Sequence, residues 1–237
     1  MNRRPNFLLF MTDQQRGDVV LDGSPLRAFT PHLDRFRRRA VTFRQAYCPS
    51  PHCCPSRASF FTGEYPSRHG VWNNVNVGNA LSREPFAGTP FWSRDLHAAG
   101  YRLAFSGKWH VSHHDGPAAF GWEEAHVTAS PRQPRIQGPV THEWEQFDKP
   151  SGLSPAADAP RRPGEILRPG YTAYRHFGTR ENPAGDDTVV AAARAALRQR
   201  AASAGDSPWC HYVGTLGPHD PYMPPARFLE MYRDLPI

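Results

Sequence analysis

Runs of apolar residues alternate along the chain with stretches that carry helix signals. The apolar run NFLLFMT at 6–12 predicts a buried strand that ends just before Asp13. Thr30 caps a predicted helix whose first residue is Pro31, and VTFRQAYC at 41–48 has the β-branched and aromatic residues of a second strand. The chain is therefore expected to begin as strand, helix, strand.

The same alternation continues to residue 216, with one long interruption. Periodicity and capping signals predict helices at 55–62, 91–99, 186–202 and 226–234, and strands at 101–107 and 209–216. Pro55 is expected at the first position of its helix and Gly63 just past the end. The proline-rich stretch from about 115 to 185 predicts a loop-rich surface insertion. The pattern predicts an α/β fold with a mainly parallel central sheet flanked by helices.

Composition and charge narrow the class of protein. In 237 residues, 39% are hydrophobic, 12% aromatic and 21% charged, as in a globular enzyme of one or two domains. The net charge of +6 comes almost entirely from arginine, because Lys108 and Lys149 are the only lysines, and it favours an anionic ligand. The basic run RFRRR at 35–39 lies in a predicted helix, where a solvated face is expected and a nucleic-acid partner is not.

Nothing in the sequence points to export or to a membrane partner. The apolar run at 7–11 is too short for a signal peptide or a membrane span. The four cysteines, Cys48, Cys53, Cys54 and Cys210, have no regular spacing, so we expect reduced thiols and a cytoplasmic protein. The sequence makes no prediction about the oligomeric state.

Four polar clusters follow predicted strands or open a predicted helix. They are TDQQ at 12–15, CCPSR at 53–57, GKWH at 107–110 and PHDPY at 218–222. Ligands of α/β sheets bind beyond the carboxyl ends of the strands. We therefore expect the four clusters to converge on one rim of the sheet.

The run Cys53-Cys54-Pro55-Ser56-Arg57 matches the C-x-P-S-R signature of type I sulfatases, and the residues that follow it, ASFFTGEYPSRHGV, are also similar to that family. The segments TPHLDRF, GKWH and PHDPY occur in the family's order, so the resemblance covers nearly the whole chain. It implies the alkaline phosphatase-like sulfatase fold and hydrolysis of a small-molecule sulfate ester or related anionic ester. Gln14 and Asn74 resemble the branch that contains phosphonate monoester hydrolases and choline-sulfatase-like enzymes, where the asparagine lies near the substrate.

The resemblance also implies a role for individual residues. Cys53 would be converted by a formylglycine-generating enzyme to formylglycine, whose hydrated aldehyde offers one hydroxyl to attack sulfur and a second to release sulfate. Arg57 would hold the formylglycine or a sulfate oxygen by charge-assisted hydrogen bonds. Lys108 and His110 resemble the pair that binds sulfate and assists the nucleophile or leaving group, and His219 resembles the histidine that contacts the ester oxygen.

The resemblance implies a divalent metal held by Asp13, Gln14 and residue 53. Hard oxygen ligands suit Ca²⁺, which we expect, and also Mg²⁺ or Mn²⁺. Many sulfatases have a second aspartate where Gln14 stands, and this departure weakens the case for calcium. Family members carry a further pair of metal ligands and another lysine in a later part that this sequence, ending at Ile237, does not contain. We interpret 1–237 as the N-terminal part of a sulfatase catalytic domain, C-terminally truncated.

Each of these residues has a simpler interpretation. In one alternative, the adjacent cysteines are ordinary buried thiols. In another, they bind zinc together with Cys48 and His52. Cys54 has no chemical role in the buried-thiol alternative or in the one that the family resemblance implies. Asp13 is a helix cap or turn residue, Asn74 is a turn residue, and the lysine and histidines are surface residues. Two other functions stay open: hydrolysis of phosphonate monoesters or phosphodiesters by the same machinery, and binding of an anion or partner without catalysis.

Overall fold

Helices and strands alternate in the computed structural model, which describes residues 4–128, 165–166, 174–175, 181–182, 184–202, 207–219, 224–232 and 234. The strands are β1 (Phe7–Met11), β2 (Arg102–Lys108), β3 (Glu123–Thr128), β4 (Glu165–Ile166), β5 (Tyr174–Arg175) and β6 (Trp209–Gly214). The helices are α1 (Pro31–Arg37), α2 (Cys53–Thr62), α3 (Pro66–His69), α4 (Trp92–Ala98), α5 (Asp186–Ala202) and α6 (Ala226–Leu229). Short 3-10 turns occur at Gly17–Val19, Pro117–Phe120 and Glu230–Tyr232.

Four of the strands form one parallel sheet in the order β1-β6-β2-β3, and β4 pairs with β5 as a separate antiparallel ribbon. Parallel neighbours need crossover connections, and helices α1 to α5 lie in the segments between the sheet strands. The predicted α/β fold with a parallel sheet flanked by helices is therefore confirmed.

The core lies on both faces of this sheet. On one face Phe61 of α2 packs against Phe105 and Tyr212, with ring centroids 5.9 and 5.0 Å away. On the other face Val189 of α5 packs with Val213. Because successive side chains of a strand point to opposite faces, β2 and β6 are buried on both sides and anchor the elements that carry polar residues.

Two expectations about strands are corrected by the structure: the burial of the first predicted strand and the existence of the second. The run at 6–12 forms β1, but this strand lies at the sheet edge with β6 as its partner, and Leu8 and Phe10 are 53% and 60% exposed. The segment at 41–48 is irregular, with Val41 and Phe43 exposed. Its composition suits a strand, but a strand requires a hydrogen-bonded neighbour, and each sheet strand among the described residues pairs elsewhere.

Two other boundaries shift. Helix α2 begins at Cys53, so Pro55 is its third residue and the helix starts two positions earlier than predicted. The stretch expected to be loop-like from about 115 contains a 3-10 turn and then β3, which pairs with β2 at the far edge of the sheet. Most of the remainder of the predicted insertion lies outside the described residues. No helix in the described part of the chain is long and apolar enough to cross a membrane.

Gly107 is needed at the end of β2. Its φ is +98°, and a Cβ there would lie 1.8 Å from the carbonyl oxygen of Gly214 on the neighbouring strand. Gly63, which ends α2, also has a positive φ of +73°, but a Cβ at that position would meet nothing within 4 Å.

We therefore expect Gly107→Ala to lower the free energy of unfolding by about 3 kcal/mol or more, because it combines backbone strain with a backbone clash. Gly63→Ala, the matched control, should cost about 1 to 2 kcal/mol, since it adds the strain alone. Urea denaturation of both variants measures the difference. Equal losses would show that the approach of Gly107 to Gly214 is not a constraint.

Candidate active site

Polar residues from four parts of the chain meet beyond the carboxyl ends of the sheet strands. Asp13 follows β1, Lys108 ends β2, and His219 lies in the loop after β6. Cys53 is the first residue of α2, whose buried face packs on the same sheet. The predicted convergence of the four polar clusters on one rim is therefore observed for these residues.

A buried ion-pair cluster centres on Asp13. One carboxylate oxygen, Oδ2, accepts hydrogen bonds from Nη2 of Arg57 at 2.8 Å and from Nζ of Lys108 at 2.9 Å, and all three side chains are at most 6% exposed. Burial by itself would raise the pKa of Asp13, but the two cations outweigh it and lower the pKa to about 2. Asp13 is thus ionised, with its second oxygen left facing α2.

Arg57 also joins the cluster to the sheet. Its Nη1 donates to the carbonyl oxygen of Lys108 at 2.8 Å and to the hydroxyl of Tyr212 at 3.0 Å. The Tyr212 hydroxyl lies 3.3 Å from the Met11 sulfur. Arg57 therefore contacts β2 and β6 directly and β1 through Tyr212, and its guanidinium orientation is determined by buried partners.

Cys53 lies against the free oxygen of Asp13. Its Sγ is 3.7 Å from Asp13 Oδ1, and its side chain also contacts His219. Burial opposes ionisation of this thiol, but the hydrogen bond with His219 and the charge of Lys108 lower its pKa below the ordinary value. The thiolate is the nucleophilic and metal-binding form of cysteine, so this thiol is chemically distinct from its neighbour.

Cys54 is fully buried and holds a loop against the helix start. Its backbone N–H donates to Oδ1 of Asn74 at 3.1 Å, and its sulfur accepts a hydrogen bond from the N–H of Val75 at 3.4 Å. Burial raises the pKa of Cys54 to about 12. Asn74, predicted near the substrate, is observed binding one of the N–H groups that helix α2 leaves without an intrahelical partner.

His110 lies two residues past the end of β2 and contacts a residue that the sequence did not identify. Its Nε2 is 3.1 Å from Oδ1 of Asn76, its φ is +52°, and its Nδ1 is buried without a hydrogen-bond partner. Burial, with the charges of Lys108 and Arg57, lowers its pKa to about 3. The ring is neutral, and a hydrogen on Nε2 leaves a lone pair on Nδ1, which the nearby cations favour over an N–H.

The loop after β6 is tied to two aspartates. Asp186, the first residue of α5, accepts hydrogen bonds from the N–H groups of Leu216 and Gly217, both at 2.7 Å. The carbonyl of Gly217 accepts from the N–H of Asp13 at 3.3 Å. These contacts place the turn that carries His219 beside the cluster.

The structure thus brings together Asp13, Cys53, Arg57, Lys108 and His219, with His110 within electrostatic range of the same charges. Gln14 has a positive φ of +53° and an exposed side chain. Three further residues hold the site through hydrogen bonds: Asn76 to His110, Asp186 to Leu216, and Tyr212 to Arg57. The sequence did not predict them, because these contacts join residues 30 to 155 positions apart. The only sequence signal for Asn76 was its position in an asparagine-rich loop.

Comparison with known proteins identifies relatives over almost the whole chain. The family model described as Sulfatase matches residues 5–235. Choline-sulfatase of Rhizobium meliloti is 30% identical over 245 residues, covering 98% of this chain and 41% of the relative. The solved structure of a phosphonate monoester hydrolase from Silicibacter pomeroyi has a TM-score of 0.65 at 21% identity, covering 99% of this chain and 46% of that one.

A solved complex of a protein with its substrate D-glucosamine-2-N,6-O-disulfate is also similar, with a TM-score of 0.60 at 21% identity. The similarity covers 98% of this chain and 38% of the chain in that complex. The chain therefore spans less than half the length of each of these relatives.

Removing the charge of Asp13 should destabilise the protein strongly. In Asp13→Asn, Arg57 and Lys108 lose their shared carboxylate while remaining buried, and we expect a loss of about 3 to 5 kcal/mol in the free energy of unfolding. Asp18→Asn is the control, because its ion pair with Arg16 is exposed and should leave that free energy nearly unchanged. Urea denaturation in the presence of a chelator makes the comparison. Similar small losses in both variants would contradict the central role of Asp13.

Proposed function

The chain belongs to the sulfatase family, and on that premise we propose that it forms part of a site that hydrolyses sulfate esters through formylglycine at position 53. The observation that carries the proposal is the position of Cys53 at the start of α2, against Asp13 and His219 and close to Lys108. Similarity to a choline-sulfatase, and to a protein solved with a disulfated glucosamine, supports a small sulfate ester as substrate.

Formylglycine, installed by a formylglycine-generating enzyme, supplies a hydroxyl nucleophile and a second hydroxyl that allows sulfate to be released. The residues of this chain provide charge and orientation. Lys108 and Arg57 hold anionic oxygens of the ester in a buried setting where each cation acts strongly. His219, in contact with residue 53, is placed to donate a proton to the leaving oxygen, and the neutral His110 can accept one at Nδ1.

The fit of a divalent metal depends on the chemistry of residue 53. As cysteine, the described donors are a carboxylate oxygen, a sulfur and an imidazole nitrogen, a set that does not match the oxygen ligands of Ca²⁺. If residue 53 carried an oxygen in place of the sulfur, Oδ1 of Asp13 would have an oxygen as its neighbour, and Gln14 follows Asp13 in the chain. Asp13, Gln14 and residue 53 would then hold Ca²⁺, or Mg²⁺ or Mn²⁺, and the ion would polarise the attacking hydroxyl.

A second candidate is hydrolysis of phosphonate monoesters or phosphodiesters by the same machinery. It is supported by Gln14 in place of an aspartate and by the similarity to a phosphonate monoester hydrolase structure. Both substrate classes present a tetrahedral oxyanion to Arg57 and Lys108. Comparison of kcat/KM for an aryl sulfate and an aryl phosphonate monoester separates the two, and a preference for the phosphonate would overturn the first proposal.

Conversion at position 53 can be tested directly. After coexpression with a formylglycine-generating enzyme, we expect fragment ions of the tryptic peptide 45–57 to place the aldehyde at Cys53 and to leave Cys48 and Cys54 unchanged. Aryl-sulfate turnover should fall by about 10³-fold or more in Cys53→Ala, because the nucleophile is removed, and should be retained in the exposed-cysteine control Cys48→Ala.

Two outcomes would contradict the proposal. Unconverted Cys53 in every coexpressed preparation would remove the nucleophile from the mechanism. A converted chain that binds sulfate esters but turns none of them over would favour the third candidate, an anion-binding or partner-binding role without catalysis.

A further inference from the structure

In the unconverted chain, two residues that the resemblance assigns to a divalent metal, Asp13 and Cys53, lie beside His219, which the resemblance does not assign to it. Oδ1 or Oδ2 of Asp13, Sγ of Cys53 and a ring nitrogen of His219 lie within 4.8 Å of one another. We propose that these three side chains form a binding site for a borderline-soft divalent cation such as Zn²⁺ when residue 53 is still cysteine. This proposal concerns the chain before conversion, so it does not require the proposed hydrolase activity.

The spacing of the donor atoms suits such an ion. Cys53 Sγ and Asp13 Oδ1 are 3.7 Å apart. Zinc binds sulfur at about 2.3 Å and carboxylate oxygen at about 2.0 to 2.2 Å, so two ligands in a tetrahedral arrangement lie about 3.5 Å apart. The observed pair therefore needs only a small adjustment, and His219 completes three ligands with one position left open, as in catalytic zinc sites.

The donor chemistry selects against hard cations. Zinc and cobalt accept sulfur, imidazole nitrogen and a single carboxylate oxygen as ligands. Ca²⁺ instead takes roughly six to eight oxygen ligands, at longer distances than zinc does. Conversion of Cys53 would replace the sulfur with oxygen. If the proposed function holds, the chemical state of residue 53 thus determines which class of metal the site prefers.

One carboxylate oxygen of Asp13 faces the proposed ligand Cys53. Oδ2 of Asp13 is occupied by Arg57 and Lys108, and this arrangement leaves Oδ1 directed at Cys53. Binding of a divalent ion would displace the thiol proton of Cys53.

The site differs from the zinc alternative considered from sequence. Cys54 is buried, and its sulfur accepts a hydrogen bond from the N–H of Val75. Cys48 is exposed and lines a cavity of about 510 Å³ beside α2, away from the proposed site. Among the residues that the structure describes, neither these cysteines nor His52 belongs to a group with metal-binding geometry. Cys53 is therefore the thiol to test.

The test uses the full chain expressed without a formylglycine-generating enzyme and stripped of metal by a chelator. Titration with Co²⁺ should give one ion per chain and a near-ultraviolet thiolate-to-cobalt charge-transfer band, which Zn²⁺ removes by displacement and excess Ca²⁺ does not. Cys53→Ala should abolish the band, and His219→Ala should weaken Zn²⁺ binding at least tenfold, about the loss caused by removing even an outer-shell partner. Cys48→Ala should retain both properties.

A missing band in the folded chain, or a band that persists in Cys53→Ala, would overturn the proposal. Circular dichroism verifies that each variant is folded, and Cys53→Ser provides a second variant of similar size should the alanine variant unfold. Peptide mass and turnover of the converted chain are measured separately. Failure of the cobalt experiment therefore leaves the sulfatase proposal unaffected, and loss of turnover leaves the cobalt result unaffected.

Discussion

The buried carboxylate of Asp13 is the interaction on which the site depends. Two cations from different elements, Arg57 of α2 and Lys108 of β2, share one of its oxygens. Each cation would be costly to bury without a counter-charge, so the three side chains are stable only together. Because Arg57 also binds Tyr212, the cluster links α2 with the central strands and determines where residue 53 lies relative to the sheet.

The start of α2 is positioned from outside the helix as well. Asn74 and Val75 bind Cys54, and Asn76 in the same loop binds His110. One short loop therefore restrains both the residue beside the proposed nucleophile position and a histidine with a left-handed backbone. Cys54, which has no chemical role in the family signature, has a structural one: its buried sulfur and N–H are the surface on which this loop docks.

The two proposals differ in a single atom of residue 53. In the unconverted chain, Asp13 and His219 are proposed as metal co-ligands of a thiol, and after conversion they are proposed as metal ligand and proton donor beside an oxygen nucleophile. Substitution of sulfur by oxygen would thus change the class of cation that the donors prefer.

The sequence by itself determined the succession of most strands and helices, and it predicted which polar residues meet at one rim of the sheet. Local signals explain this success: Gly63 ends α2 with a left-handed backbone, and the apolar run at 209–216 predicted the strand that forms β6. The C-x-P-S-R signature distinguished Cys53 as the proposed nucleophile position, because the meaning of that signature depends on adjacent residues.

Tertiary structure alone decided how these pieces pair and which side chains share an environment. Strand order made β1 an edge strand and left 41–48 without a partner, and neither result can be calculated from composition, since pairing is a non-local choice. The same is true of Asp186 and Asn76, whose partners lie 30 or more positions away. Charges and burial at the rim, which distinguish Cys53 from Cys54, exist only once the sheet has brought Asp13, Lys108 and His219 together.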